Sequence, residues 1–123
     1  ETWQLKNHPG VYLAGQIIGT EGYVEAAAGG GLVASHIVAR LKGEEPRLPP
    51  SNTAHYGLIR QTQRHADDYQ PSNITFAHLP PWEGKRLKKR AKYEAMAERS
   101  LTDLQAFTES KPPAPNQEAP SPS

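Results

Sequence analysis

The chain contains no cysteine. That excludes a disulfide framework, a Cys-ligated metal and a thiol nucleophile within these residues. Large core-filling side chains are also scarce: two phenylalanines, two tryptophans and five tyrosines among 123 residues, 36% of which are hydrophobic. No apolar run approaches the roughly 20 residues that span a bilayer, and no signal-like N-terminus is present. A membrane partner is therefore not expected, and a cytoplasmic setting is. An excess of one charge is missing too: 14 Lys and Arg against 13 Asp and Glu leave a net charge of +1, which favours no partner class. The dinucleotide fingerprint G-x-G-x-x-G is absent. His8, His36, His55, His65 and His78 are scattered, with none paired at the four-residue step of a helical zinc site, so no metal is expected.

What is present is polar and rich in turns. Twelve prolines and a mean hydropathy of −0.72 leave little apolar area to offset conformational entropy in so short a chain. The length accommodates at most one small domain. The expectation is a C-terminal piece of a larger protein, with the N-terminal part of the same protein missing, or a chain whose missing partner segment completes the fold. The absence of an initiator methionine at position 1 fits that view.

Residues 1–9 read as a polar lead-in closed by Asn7-His8-Pro9-Gly10 turn chemistry. A short apolar strand is expected over 11–14, then a glycine turn, then a helix over 24–41. Gly29-Gly30-Gly31 lies inside that helix. Each interior glycine costs up to about 1 kcal/mol relative to alanine, so the centre should be locally weak or closely packed. Residues 42–52 form a proline-bearing loop. A second helix is expected over 53–65, with Asn52 or Thr53 as N-cap and with Tyr56, Ile59 and Gln63 on one side. Residues 66–73 read as loop, 74–77 as a brief extended piece, and Leu79-Pro80-Pro81-Trp82 as a rigid turn. The third helix is expected over 83–108, where Tyr93, Ala97, Leu101, Leu104 and Phe107 recur at three- and four-residue steps. The Pro- and Ser-rich tail 110–123 reads as disordered. With a single short strand, the isolated chain is expected to be marginally folded.

The informative stretch is Ala14-Gly15-Gln16-Ile17-Ile18-Gly19-Thr20-Glu21-Gly22-Tyr23-Val24-Glu25-Ala26-Ala27-Ala28. Gly15, Gly19 and Gly22 permit tight turning and close approach of another molecule to the backbone. The helix that follows opens with unpaired N–H groups and a partial positive charge, which suits a phosphate, a carboxylate or an electron-rich carbonyl. An ordinary strand-to-helix connection has the same pattern. Glu25 suits a capping role at the helix start, and Glu21 either flanks the turn or faces a ligand. Tyr23 stacks on a ring or packs in a core. The Gln16 amide suits a heteroaromatic edge or ties the turn together.

The run A-G-Q-x-x-G-x-x-G-Y-x-E-A-A-A resembles the C-terminal flavin-contacting motif of two groups of tRNA-modifying flavoproteins. One is the folate- and FAD-dependent tRNA (uracil-5-)methyltransferases; the other installs carboxymethylaminomethyl groups on wobble uridine. Pro49-Pro50-Ser51-Asn52-Thr53-Ala54-His55-Tyr56-Gly57-Leu58, Tyr69-Gln70-Pro71-Ser72-Asn73-Ile74-Thr75-Phe76, Leu79-Pro80-Pro81 and Ala97-Glu98-Arg99-Ser100-Leu101-Thr102-Asp103-Leu104 resemble the methyltransferases in order and spacing. The chain departs from that pattern in its three consecutive glycines and a spacing to Ala39-Arg40-Leu41 that is one residue longer. The resemblance implies an α/β fragment: a short strand, glycine turn and long helix from the end of a Rossmann-like FAD-binding domain (1–42), then a mainly helical region (43–109) and the tail (110–123). It implies FAD contact at Gly15, Gln16, Gly19, Thr20, Gly22 and Tyr23, with methylenetetrahydrofolate and NAD(P)H as co-substrates and a T-loop uridine of tRNA as the methyl acceptor. The helix start would face the pyrimidine side of the flavin and stabilise negative charge there. The cysteines that the family uses in methyl transfer are missing, so this segment alone carries no catalytic residue.

Lys85-Arg86-Leu87-Lys88-Lys89-Arg90 places five cations in six residues. Lys85, Arg86, Lys88, Lys89 and Arg90 suit phosphate contacts with tRNA, and a solvated helix face has the same composition. Two functional readings stand side by side: the flavin-contacting segment of a methyltransferase, and a non-catalytic RNA-binding module or inactive flavoprotein remnant.

Overall fold

The computed structural model describes residues 2–63 and 70–110. These residues are mostly helical: α1 (Tyr23–Leu41), α2 (Ala54–Thr62) and α3 (Lys89–Glu109), with short 3-10 turns at Gln16–Ile18 and Phe76–His78. The tail expected at 110–123 lies outside the described residues beyond Ser110, as do 64–69 of the expected second helix and following loop.

No sheet forms among the described residues, and the short strand expected over 11–14 is reduced to an isolated bridge. There are two isolated bridges, Gln4 with Tyr12 and Thr20 with Ser72. Residues 11–14 meet the lead-in folded back on them through three bonds, Leu5 N–H to Val11 O at 2.8 Å, Val11 N–H to His8 O at 3.1 Å and Leu13 N–H to Trp3 O at 3.0 Å. A lone two-stranded ribbon is marginal in water, so pairing stops at one bridge.

The lead-in is more than a polar tail, because Trp3 belongs to the core. It clusters with Leu32 and Val33 of α1 and Leu58 and Ile59 of α2. Its indole N–H donates to Thr62 Oγ1 at 2.8 Å. A Cβ on Gly29 would sit 3.6 Å from the Trp3 ring, which makes Gly29 the closely packed glycine of the three. The lead-in is also held by the buried His36, whose Nδ1 lies 3.2 Å from Thr2 O.

Thr53 is the N-cap of α2, its Oγ1 accepting from Tyr56 N–H at 3.1 Å. The buried face of α2 is Gly57, Leu58, Ile59 and Gln61, rotated from the expected Tyr56, Ile59 and Gln63. The rotation follows from the segment that covers the helix. A Cβ at Gly57 would lie 2.9 Å from Ile74 Cδ1 and 3.2 Å from His78 O, so glycine admits residues 74–78 against α2. Those residues form a 3-10 turn over Phe76–His78 where an extended piece was expected, and Thr75 and His78 close its start in a capping box.

The third helix starts at Lys89, six residues later than expected. Trp82 folds over Gly84, leaving a Cβ there only 2.6 Å from the ring, and its indole N–H donates to Lys85 O at 3.1 Å. That local turn, after two prolines, replaces the first turns of a helix. The residues of α3 that are buried are Met96 and Ser100, whereas Leu101 of the expected stripe is 67% exposed. Polar anchors set this rotation. Ser100 Oγ accepts from Ala54 N–H at 2.8 Å and Asn52 Nδ2 donates to Asp103 Oδ2 at 3.1 Å. Arg47 caps the far end, donating to Phe107 O and Ser110 O, each at 3.1 Å.

Candidate functional site

The glycine turn sits where three segments meet. Gly15, Gly19 and Gly22 take φ of +84°, +103° and +109°, values that side chains rarely tolerate. Gly15 precedes the 3-10 turn, Gly19 ends it, and Gly22 is the N-cap of α1. The turn is braced from residues 70–75: Ser72 N–H donates to Gly19 O at 3.1 Å and Glu21 N–H to Ser72 O at 3.0 Å. The Gln61 amide reaches Gly19 O at 3.3 Å and also donates to Ser72. Thr20 is only 1% exposed, so its side chain belongs to the interior of the turn.

Gln16 resolves one alternative: its Nε2 donates to Glu21 Oε2 at 3.0 Å, tying the turn together. Glu25 is a brace as well as a first-turn carboxylate. Its Oε1 accepts from Asn73 Nδ2 and Ile74 N–H, both at 3.3 Å. A hydrogen bond from its own amide, then those from Asn73 and Ile74, hold its carboxyl below the ordinary carboxylate range against an opposing effect of burial. Gly22 has a structural reason to be glycine: a Cβ there would lie 2.3 Å from Glu25 Oε2 and 2.8 Å from Asn73 Nδ2. Sequence reasoning missed Gln61, Ser72 and Asn73, and nothing near the motif signals them, since Asn73 stands 48 residues beyond Glu25.

The N-cap residue of α1, Gly22, offers no side-chain cap, but the Glu25 amide is engaged by its own carboxylate, so among the first N–H groups, which lack intrahelical acceptors, those of Tyr23 and Val24 keep their donor capacity. Around it the surface is open, with exposed apolar side chains beside the exposed Gln16 and Glu21. Tyr23 is 98% exposed, with Val24 and Ile17 also well exposed, so Tyr23 is no core residue here. A Cβ on Gly15 would meet nothing within 4 Å. The exposed apolar surface continues down α1 through Ala27, Ala34 and Val38 to Leu41, which is 81% exposed.

The basic run divides. Lys85, Arg86 and Lys88 lie on the non-helical approach, while Lys89 and Arg90 open α3, which has no side-chain N-cap. The run is well separated in sequence from the glycine turn, and Arg90 pairs with Glu94 at 3.0 Å. Among the described residues no cluster could hold a metal ion, and no helix is long and apolar enough to cross a membrane. His65 and Tyr69 lie outside the described residues.

The family described as glucose inhibited division protein A matches residues 1–46, which contain the whole glycine turn and α1. Longer matches cover most of the chain. A methylenetetrahydrofolate–tRNA-(uracil-5-)-methyltransferase TrmFO from Streptococcus uberis is 46% identical over 114 residues, 89% of this chain. The chain is a TrmFO-like segment. The TrmFO of Persephonella marina is 42% identical over 106 residues, and that of Pelotomaculum thermopropionicum 38% over 109. These matches take in 86% and 88% of the chain but only 24% and 25% of the relatives, as against 25% for Streptococcus uberis. The segment thus spans about a quarter of the length of the curated relatives it matches.

Proposed function

We propose that this TrmFO-like segment closes the flavin site of a methylenetetrahydrofolate- and FAD-dependent tRNA (uracil-5-)methyltransferase that acts on a T-loop uridine. The observation that carries the reading is the pair of Tyr23 and Val24 amides at the start of α1, which has a glycine N-cap, beside three positive-φ glycines and flanked by exposed Ile17, Tyr23 and Val24. A flat aromatic ring with an anionic edge fits such a place: amides and helix dipole for the edge, apolar side chains for the ring. FAD, when bound, supplies the redox chemistry, with methylenetetrahydrofolate as carbon donor and NAD(P)H as reductant. The chain's own part is to orient the ring and stabilise charge on its pyrimidine side. Gly15 and Gly19 let the backbone approach, Gln16, Thr20 and Gly22 hold the turn's shape, and Tyr23 and the α1 amides face the ring.

In this reading residues 1–42 complete an FAD-binding domain of Rossmann type, 43–109 form a helical region sharing its core, and 110–123 trail as a tail, in a cytoplasmic enzyme. The apolar outward face of α1 packs on the remaining three quarters of such an enzyme. Support comes from its composition: Val24, Ala27, Gly31, Ala34, Val38 and Leu41 recur at three- and four-residue steps, all exposed and uncharged, and aligned apolar surface of this kind marks a protein contact. Lys85, Arg86, Lys88, Lys89 and Arg90 meet tRNA phosphates.

The test is a chimera in which this chain replaces the matching segment of the Streptococcus uberis relative. The chimera is expected to purify with bound FAD and to methylate an unmodified tRNA transcript. A folded, colourless chimera that does not take up added FAD would overturn the proposal. In the same chimera, Lys88→Ala with Lys89→Ala should flatten the salt dependence of tRNA binding by about 0.7–0.9 of a log unit of slope for each phosphate no longer neutralised. An unchanged slope and affinity would make the run a solvated surface.

A further inference from the structure

The start of α3 carries a feature that the basic run by itself does not predict. The Phe76 and Tyr93 rings stack in parallel, centroids 4.3 Å apart and planes within 2°. Together with Lys89, Arg90, Glu94 and Ala97 they line an open groove of about 480 Å³ whose surface is almost wholly apolar. Lys89 and Lys92 ammonium groups stand 5.9 and 5.5 Å from the Tyr93 ring centre. The lone acid of the lining, Glu94, is engaged by Arg90.

We infer that this groove takes an unstacked nucleobase of single-stranded RNA, the Phe76–Tyr93 surface stacking on the base while Lys89, Lys92 and the preceding Lys85, Arg86 and Lys88 hold its phosphates. This rests on the RNA reading of the basic run and gives that reading a site. The chemistry of groove and ligand matches on two counts. An apolar groove with aromatic rings suits a flat ring, and a rim of cations suits a ligand carrying negative charge outside that ring. A nucleotide within a strand presents both, and single-strand binders combine the same two elements. An exposed ammonium over an aromatic ring is the weaker contact of the two. An incoming base therefore displaces Lys89 and Lys92 from Tyr93 and leaves them free for the flanking phosphates. Stacking on Phe76 also holds the Tyr93 ring in place, so the pair meets a base as one preformed aromatic stack.

The experiment uses the 123-residue chain and a fluorescein-labelled 12-nucleotide single-stranded RNA, compared with an oligomer of equal length whose central positions are abasic. Wild type is expected to bind the RNA more tightly than the abasic strand by at least about fivefold, the range for one stacked base. Tyr93→Leu keeps the apolar volume and should remove that preference with the salt slope unchanged, while Tyr93→Trp should restore it. Lys88→Ala with Lys89→Ala should lower the salt slope and leave the preference. Helical circular dichroism monitors folding of each variant. If the lysine variant weakens binding and Tyr93→Leu behaves as wild type, the groove is not a base site and the RNA reading survives. If no variant changes RNA binding, both fail. If 5-formyltetrahydrofolate competes with the RNA and its own binding needs Tyr93, the groove is a folate site and the nucleobase assignment is overturned.

Discussion

Helices α1 and α3 are nearly equal in length, 19 and 21 residues, yet their outward faces are chemical opposites. The sequence of α1 includes two charged side chains, Glu25 and Arg40; that of α3 includes Lys89, Arg90, Lys92, Glu94, Glu98, Arg99, Asp103 and Glu109. Inward, α1 contributes Leu32 and Val33 to the core around Trp3, whereas α3 is held largely by Ser100, Asp103 and the Arg47 cap. Outward, α1 leaves Tyr23, Val24, Val38 and Leu41 uncovered. A helix that is apolar on both sides belongs between two layers of protein, and one with a charged outer face belongs at the surface. Under the proposed function, α1 packs on the rest of a flavoprotein and α3 faces solvent and nucleic acid.

The contrast between the helices is most vulnerable at Trp3. Trp3→Ala removes the residue shared by α1 and α2 and is expected to cost about 3–5 kcal/mol, measured by urea unfolding. A decrease below about 1 kcal/mol would show that the inner side of α1 is not held by this cluster. Gly22→Ala comes next. Its φ of +109° and ψ of 151° are essentially restricted to glycine, and a side chain there costs about 1–3 kcal/mol while displacing the Glu25 brace. The same measurement reads it, and NMR should show the Asn73 side-chain amide released from Glu25. On the α3 side, Ser100→Ala leaves Ala54 N–H without its acceptor and should cost about 0.5–1.5 kcal/mol. An unchanged midpoint would mean that α3 is not anchored through this bond.

The smallest effects come from pH. Burial pushes the His55 imidazole below its ordinary value of 6.5, so the unfolded chain binds the proton first. Stability should then fall as pH drops below 6.5 and level off beneath the folded value. The Glu25 carboxyl is also lowered, from 4.5. Its contribution is complete above that value and is lost as pH falls through the folded one. Urea titrations from pH 8 to 3 should show the His55 decline first and the Glu25 decline second. His55→Gln removes the first alone and Glu25→Gln the second alone; if both declines persist in either variant, the assignment is wrong.

The residues that announced themselves in sequence are those whose role is local. Glycines at positive φ, Thr53 as N-cap and the extent of α1 could be read directly, because each depends on neighbours within one turn. The rotation of α2 could not, since it depends on residues 74–78 crossing at Gly57. Nor could the start of α3, which depends on Trp82 folding over Gly84. Trp3 escaped because a polar stretch concealed a single core side chain at a non-glycine φ of 60°. The bracing of the glycine turn by Gln61, Ser72 and Asn73 joins segments that share no periodicity and no motif. The motif marked where the turn lies; only the fold shows what holds it.

The most direct test of the role assigned to α1 is hydroxyl-radical footprinting of the isolated chain and of the Streptococcus uberis chimera side by side. Tyr23, Val24, Val38 and Leu41 should be oxidised readily in the isolated chain and strongly protected in the chimera, while Leu101 on the outer face of α3 should react equally in both. Equal reactivity of Tyr23 and Leu41 in the two proteins would contradict the claim that the outer face of α1 is an interior surface awaiting its partner.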